Sequence, residues 1–410
     1  MTRLTLLPRG RIGQALFAIR LIAGALAMTR LATAAHRRPP LTATPAPQPA
    51  APPAAPPAAA QRSGRGSSPS PGTSAPRSGA GGVTISVVVP ARDEAERIGP
   101  LLAALSTAAL SNAGRTGPVI EVIVVDDESS DDTAAIAVDA GARVVYGSAP
   151  PHGWTGKAWA LQQGVEAASG DWIVTLDSDT RPSPCLPAEL VARALDDRLS
   201  FVTVGGRFEC PTRGAQWLHA AMLTTLVYRF GPAGRVGPIR ADRHLANGQC
   251  MAFPRQAFLD AGGMRPVAAH VVEDVALARH LAAEGWAVAM LDGPDLLTTR
   301  MYDDLISTWR GWGRSLALPG VEPRGRQLID VGIVLCAQVL PLPRLLARRG
   351  DFLDVALLLA RLGTLVGTAQ AYERPGVGYW LSPTADVPAV AALLDGIIRP
   401  RRSWRGRSYD

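Results

Sequence analysis

The stretch Gly170-Asp171-Trp172-Ile173-Val174-Thr175-Leu176-Asp177-Ser178-Asp179 decides how this chain folds. Its apolar run predicts a buried strand, which ends in two aspartates separated by one serine. Alternate residues of an extended chain point the same way, so Asp177 and Asp179 are expected to face one site at the carboxyl edge of a sheet. Two carboxylates there suit Mg²⁺ or Mn²⁺ that is also bridged to a diphosphate. The alternative is a simple turn before Arg181-Pro182, since this spacing alone is a weak signal.

The composition indicates a large folded chain near a membrane surface. With 410 residues, 47% of them hydrophobic, the sequence allows two or three domains. The formal net charge is +7, and Lys157 is the only lysine. One lysine in a chain that otherwise uses arginine suggests a site that needs a compact ammonium, with chance as the rival explanation. Basic residues concentrate at both ends and beside apolar segments, which favours a membrane and gives no sign of a nucleic-acid partner.

The cysteines and histidines predict neither disulfides nor zinc. Cys185, Cys210, Cys250 and Cys336 have no paired spacing. The six histidines form no recognisable metal-ligand pattern. We therefore expect reduced thiols in a cytosolic setting.

Residues 1–82 precede the predicted folded domain. Residues 1–36 contain an apolar stretch from Ile12 to Ala35 that Arg20 and Arg30 interrupt. The stretch is nearly long enough to cross a bilayer, and we predict a membrane-associated or weakly spanning segment. A secretory signal is the competing interpretation. Residues 37–82 are dominated by Pro, Ala, Ser and Gly, which predicts a disordered linker.

Strands and helices alternate in the next part of the chain. Apolar runs predict strands at Ile85–Val89, Val119–Val125 and Arg143–Val145, and a helical pattern follows each of them. The first two strands end in acidic segments, so this alternation predicts a parallel sheet that binds a nucleotide. A Rossmann dehydrogenase is disfavoured, because no G-x-G-x-x-G follows the first strand.

Five motifs occur in order: Val89-Pro90-Ala91-Arg92-Asp93-Glu94, Val125-Asp126-Asp127-Glu128-Ser129, Gly156-Lys157, Asp177-Ser178-Asp179 and Val272-Glu273-Asp274. Together they resemble the motifs of family 2 glycosyltransferases with the GT-A fold, over residues 84 to about 316. One motif would be weak evidence, whereas five in this order are specific. The implied fold class is α/β: a GT-A domain with a Rossmann-like mixed sheet at residues 83–320, followed by C-terminal transmembrane helices.

The resemblance implies a role for most of these residues. Asp274 becomes the catalytic base, although a helix cap is the alternative at the start of a helix. Asp179 becomes the direct ligand of Mg²⁺ or Mn²⁺, with Asp177 toward the ribose or a metal-bound water. The donor nucleotide sugar is expected to contact the strand ends and one helix start: Pro90, Glu94, Asp126, Asp127, Lys157 and Asp177.

Downstream residues are expected to bind the acceptor and the diphosphate: Asn247, Gln249, Glu273, Trp309, Arg310 and Trp312. Processive members of the family carry Gln or Arg, two further residues and then Arg-Trp. This chain has Trp309-Arg310-Gly311-Trp312 instead. The departure favours transfer of a single sugar.

The C-terminal part is apolar and then basic. Three apolar stretches within residues 327–398 predict two to three transmembrane helices, and residues 399–410 a basic cytoplasmic tail. The carboxyl end resembles bacterial transferases that glycosylate carotenoids or hopanoid-type lipids. We therefore expect a multi-pass protein of the cell membrane, with a cytoplasmic catalytic domain, that transfers one hexose from a nucleotide sugar to a lipid. A polyprenyl-phosphate glycosyl synthase and a polysaccharide synthase are the alternatives.

Overall fold

The computed structural model describes residues 11–43, 82–112, 119–400, 403–404 and 407–408. Most of the predicted linker and half of the basic tail lie outside these residues. The strands are β1 Thr84–Ala91, β2 Val119–Asp126, β3 Arg143–Tyr146, β4 Trp172–Leu176, β5 Thr180–Pro182, β6 Phe201–Gly205, β7 Arg207–Glu209, β8 Cys250–Pro254, β9 Val288–Asp292, β10 Leu297–Arg300, β11 Ser403–Trp404 and β12 Arg407–Ser408.

The helices alternate with the strands at first and dominate the C-terminal part. A π-helical turn, Leu335–Val339, joins two of them. The α-helices are α1 Arg11–Ala32, α2 Gly99–Asn112, α3 Thr133–Asp139, α4 Gly156–Ala167, α5 Leu186–Asp196, α6 Arg213–Phe230, α7 Arg255–Asp260, α8 Glu273–Ala283, α9 Leu305–Leu316, α10 Arg324–Val334, α11 Pro341–Leu346, α12 Phe352–Thr368, α13 Val377–Trp380 and α14 Asp386–Ile398.

The main sheet is mixed, and its strand order is β3-β2-β1-β4-β8-β6-β9. Strands β1 to β4 run parallel, while β8 is antiparallel to both β4 and β6. Because β1 is buried on both faces, its residues alternate between two apolar cores: Val87 and Val89 face one, and Val88 faces the other. The predicted α/β class and mixed sheet are confirmed.

A small second sheet, β5-β10-β7, lies beside the carboxyl end of β4. In it, Thr299 pairs with Thr180 on one side and with Phe208 on the other. Since Thr180 directly follows Asp179, this sheet connects the acidic end of β4 to the aromatic side chain of Phe208.

A separate group of helices packs around α6. It consists of α1 and α10 to α14, and we call it the helical layer. Within the described residues, three helical segments are long and apolar enough to cross a membrane: Arg11–Ala35, Arg324–Leu346 and Phe352–Ala371. The third C-terminal stretch, residues 377–398, is instead broken into α13, a 3-10 turn and α14. The C-terminal part therefore offers two candidate membrane helices, the lower of the predicted numbers.

Candidate active site

An acidic cluster gathers around the single lysine. Asp177 and Asp179 follow β4, as predicted, and Lys157 is the second residue of α4. The Lys157 Nζ atom lies 2.8 Å from Asp177 Oδ1 and 3.0 Å from Glu273 Oε1. The fold thus brings together residues from three separate motifs, and the lysine ammonium bridges the carboxylates of the other two.

The pKa values in this cluster reflect its crowding. Burial lowers the pKa of Lys157, but the charges of Asp177 and Glu273 outweigh burial and raise it well above its ordinary value. Burial and the nearby charge of Asp179 raise the pKa of Asp177 to about 6, against the opposing effect of Lys157. Burial also raises the pKa of Asp179. The cluster therefore has a shortage of positive charge that a divalent cation would relieve.

Asp274 lies in the first turn of α8, one residue after Glu273. Its Oδ2 accepts a 2.7 Å hydrogen bond from the Gly248 backbone N–H, and its Oδ1 accepts one of 2.8 Å from Val275. The N-cap of α8 is Val272, so the capping role considered for Asp274 does not apply. Burial and the charge of Glu273 raise the pKa of Asp274 to about 7, while Lys157 opposes the rise. A carboxylate with such a pKa is suited to accept a proton near neutral pH.

Asn247 and Gln249 brace the loop before β8. The Asn247 Nδ2 donates to Val204 O at 2.7 Å and to Gln249 Oε1 at 3.1 Å. Gln249 Oε1 also accepts from the Thr299 hydroxyl at 3.0 Å, and the Gln249 carbonyl accepts from the Asp177 N–H at 3.1 Å. The two side chains therefore tie the loop to β6 and β10, and the Gln249 carbonyl ties it to the acidic end of β4.

The ends of β1 and β2 carry the predicted nucleotide-binding residues. Pro90 pairs in register with Val125, and both Asp126 and Asp127 are buried. The Oδ1 atom of Asp126 accepts no hydrogen bond from the described residues. Buried acceptors are normally paired, so this oxygen is available to a ligand donor.

Two further hydrogen bonds lie near these strand ends. The Glu94 backbone N–H donates to the Thr133 hydroxyl at 2.8 Å, which fixes the loop after β1. The Arg92 Nη1 donates to the Asp127 carbonyl at 2.7 Å and lies 3.7 Å from its carboxylate. Sequence reasoning assigned no role to Arg92, although its place inside the first motif was the available signal.

The predicted acceptor residues of α9 are not part of the acidic cluster. Trp312 packs against His219, with ring centroids 4.2 Å apart, and against Phe208 at 6.2 Å. Trp309 is half-buried against α6, and Arg310 is exposed. Their assignment to acceptor or diphosphate binding stays a prediction.

A metal ion held by Asp177 and Asp179 would need further ligands from outside the protein. Among the described residues, no group of three or more His, Cys, Asp or Glu side chains is arranged to hold a metal ion. Asp177 and Asp179 together offer two carboxylates. This donor set fits Mg²⁺ or Mn²⁺ that takes its other ligands from water and phosphate oxygens.

A mixed sheet with acidic residues at the carboxyl ends of its strands is the GT-A-like fold of glycosyltransferases. Residues 86–260 match the family model described as Glycosyl transferase family 2. This part of the chain is a family 2 glycosyltransferase domain, and the protein is a glycosyltransferase.

The curated relatives include two staphylococcal enzymes, each named 4,4'-diaponeurosporenoate glycosyltransferase. The enzyme of Staphylococcus haemolyticus (strain JCSC1435) is 25% identical over 260 residues, which are 62% of this chain and 67% of that protein. The enzyme of Staphylococcus aureus (strain MRSA252) is 25% identical over 246 residues, 58% of this chain and 63% of that protein. The chain thus spans roughly two thirds of the length of these relatives.

Among solved structures, the chain is similar to a mannosyltransferase from Pyrobaculum calidifontis in complex with GDP-Man and Mn²⁺. The TM-score is 0.45 at 18% identity, with 93% of this chain and 96% of that chain covered.

Proposed function

We propose that the protein is an inverting, metal-dependent glycosyltransferase that moves one hexose from a nucleotide sugar to a membrane lipid. A UDP-sugar is the first donor to test, and a carotenoid or hopanoid-type lipid is the proposed acceptor class. The names of the staphylococcal relatives and the apolar helices beside the catalytic domain support a lipid acceptor. The observation that carries the proposal is the convergence of Lys157, Asp177, Glu273 and Asp274 in one cluster.

The proposed reaction is a single displacement at the anomeric carbon. The acceptor hydroxyl oxygen forms a bond to that carbon, the bond from the carbon to the diphosphate oxygen breaks, and the hydroxyl proton passes to Asp274. The pKa of Asp274, about 7, lets this carboxylate take the proton at neutral pH and release it to water afterwards. The configuration at the anomeric carbon inverts.

The donor is held by groups on both sides of the acidic cluster. Asp126 and Asp127 accept hydrogen bonds from the base or ribose, and Pro90 and Glu94 border that site. Asp179, with Asp177, would hold Mg²⁺ or Mn²⁺, which neutralises the charge that develops on the departing diphosphate. Lys157 lies at the start of α4, where its ammonium and the helix amino terminus favour phosphate oxygens.

The catalytic domain is proposed to face the cytoplasm at the membrane. The four cysteines are unpaired, which agrees with a reducing compartment.

The test replaces Asp274 by Asn, which keeps the shape but removes the base. We expect turnover to fall by about a hundredfold or more, while donor binding changes little. The matched control is Asp139→Asn, an exposed helical acid outside the site, which should leave turnover unchanged. An Asp274→Asn protein with wild-type turnover would contradict the base assignment.

A further inference from the structure

Two helices of the helical layer bury charged side chains and expose apolar ones, the reverse of the usual arrangement on a protein surface in water. On α12, Asp354, Arg361 and Thr364 face inward and are buried. Its outward face carries the exposed apolar side chains of Phe352, Leu359, Leu362 and Val366. Helix α1 repeats the pattern: Arg20 is buried, and the exposed side chains are Ile12, Leu16, Ile19, Ile22 and Leu26. A helix whose charged side chains are buried and whose apolar side chains are exposed is suited to an apolar environment.

The inward charges of the layer are paired with each other. Arg20 forms ion pairs with Asp351, at 2.8 Å, and with Asp354. Arg361 lies 3.0 Å from Asp386, whose carboxylate also accepts from Gln338 at 2.7 Å. Each of these charges has an oppositely charged partner inside the layer, although Arg20 Nε and Arg361 Nη1 have no hydrogen-bond partner among the described residues. The charges are therefore offset from within, which suits a layer whose outer side faces an apolar environment.

Helix α6, on which the layer packs, is itself part of the catalytic domain and contacts the rest of that domain at both ends. At its amino end, the Thr212 hydroxyl donates to the Asp303 carbonyl at 2.8 Å. At its carboxyl end, Phe230 packs with Val272 and Val275, the neighbours of Glu273 and Asp274. Both ends of α6 therefore contact the catalytic domain, and the helix does not project from it.

The two C-terminal candidate spans follow α6 along its length. In the first, Asp330 pairs with Arg229 at 3.5 Å, and Gln338 donates to the Ala221 carbonyl at 3.1 Å. The second span follows the same path, since Leu357 shares an apolar cluster with Tyr228. After this span, the Tyr372 hydroxyl and His219 Nδ1 are joined by a hydrogen bond of 2.7 Å. A helix that crosses a bilayer has to leave its soluble domain by about 30 Å. These helices stay alongside it instead.

We propose that the helical layer binds one leaflet of a lipid bilayer and does not cross it. The exposed apolar side chains enter the leaflet, while exposed arginines at the margins of the layer contact anionic headgroups. These arginines are Arg11, Arg324, Arg348, Arg349 and Arg399. Because the carboxyl end of α6 packs against Val272 and Val275, which flank Glu273 and Asp274, α6 connects the lipid-facing layer to the helix start that carries the proposed base; this last step alone rests on the proposed function.

The first experiment locates the turn between α11 and α12 relative to the catalytic domain. Arg349→Cys and Glu284→Cys, both at exposed positions, are made separately in a full chain whose four cysteines are replaced by alanine. Sealed membrane vesicles of each orientation are treated with a membrane-impermeant maleimide. The proposal expects both variants to react from the same side. Reaction of the Arg349→Cys variant from the side opposite to Glu284→Cys, or its protection from both sides, would overturn it.

The second experiment needs no cysteine replacement and no activity. The purified full chain is floated with vesicles of phosphatidylcholine, with or without phosphatidylglycerol. We expect binding that phosphatidylglycerol strengthens, and that the paired change Leu362→Gln and Val366→Gln weakens on the order of tenfold. Leu195→Gln, at an exposed apolar residue of the catalytic domain, is the matched control and should bind like the wild type. Equal binding by the paired variant, or a dimer that buries this face and ignores vesicles, would contradict the proposal.

Discussion

At the scale of single residues, the site depends on one ammonium among four carboxylates. Lys157 contacts Asp177 and Glu273 directly, and its charge also acts on Asp179 and Asp274. It therefore links the acidic end of β4, the proposed metal site, to α8, which carries the proposed base. An arginine would place a larger, planar charge in this space, which explains why a chain rich in arginine uses lysine here.

Replacing Lys157 by Met should disturb the donor site and the base together. We expect the KM for the donor to rise at least tenfold, because a phosphate partner is lost. The acid limb of the pH profile should move to higher pH, because Lys157 holds the pKa of Asp274 down. Steady-state kinetics over a range of pH measures both. A purely structural lysine would leave the pH profile in place, and Arg143→Met, at an exposed position, is the control.

Stability should fall as the pH rises through neutrality. The pKa of Asp274 in the folded enzyme is about 7, above the ordinary value that the unfolded chain would show. The folded state therefore binds more protons between about pH 4 and 7, and the contribution of Asp274 to stability is lost as the pH rises through 7. Relative to Asp274→Asn, the wild type should lose a few degrees of Tm between pH 5 and 8 in metal-free buffer. A difference that does not change with pH would show that Asp274 has no raised pKa.

At the scale of elements, the site depends on how a loop meets a helix. The loop before β8 approaches the start of α8 so closely that a Cβ at Gly248 would lie 3.2 Å from the Asp274 carboxylate. The same glycine donates its N–H to that carboxylate. The loop thus fixes the position of the Asp274 carboxylate, the proposed base.

Replacing Gly248 by Ala should displace Asp274 without removing it. The added methyl group is too close to the carboxylate, so the loop or the first turn of α8 has to move. We expect kcat to fall ten- to a hundredfold, with a smaller change in the KM for the donor. Gly99→Ala is the control, since its Cβ meets nothing within 4 Å. Unchanged kcat in the Gly248 variant would mean that this contact does not position the base.

Local patterns in the sequence were sufficient for most of the catalytic domain. The apolar run before Asp177 and the acidic ends of β1 and β2 are patterns of adjacent residues, so they can be recognised in the sequence alone. The structure confirms those strands. The bond from Gly248 to Asp274 joins residues 26 positions apart and forms only when the domain closes, so no local pattern indicates it. The contact of Arg92 with Asp127 likewise depends on the pairing of β1 with β2.

The helical layer was harder to predict for a related reason. Asp354 and Arg361 count as imperfections in an apolar span, because hydropathy assigns each charge a cost independent of its partner. In the folded chain, Asp354 pairs with Arg20, 334 residues away in the sequence, and Arg361 pairs with Asp386 of α14, 25 residues away. These pairs remove most of that cost.

At the scale of the whole molecule, the two ends of the chain form one unit with the catalytic domain. Helix α1 joins the C-terminal helices through Arg20 and, at 3.0 Å, through Arg30 and Asp330. Leu41, just after α1, packs in the core of the main sheet. Because Leu41 and Arg37 lie inside the predicted linker of residues 37–82, the prediction of disorder is wrong for the start of that segment, which is part of the fold.

Replacing Arg20 by Leu should detach α1 from the other helices of the helical layer. Asp351 and Asp354 would keep Arg344 but lose their most buried partner, at a cost of about 3 kcal/mol in unfolding free energy. Thermal unfolding and limited proteolysis of the amino-terminal segment, both in lipid nanodiscs, measure the effect. Gln14→Leu, at an exposed position of the same helix, should behave like the wild type. Equal stability of the Arg20 variant would mean that α1 is not held by these pairs.

The most direct test of the central claim is product analysis with the full chain in membranes. Wild-type and Asp274→Asn membranes are incubated with Mn²⁺, several labelled nucleotide sugars and a total lipid extract, and the labelled products are separated. We predict one labelled glycolipid from one donor, formed by the wild type and nearly absent from the variant. A ladder of polymer products, or a labelled polyprenyl phosphate that forms equally well without the Asp274 carboxylate, would contradict single transfer to a lipid hydroxyl.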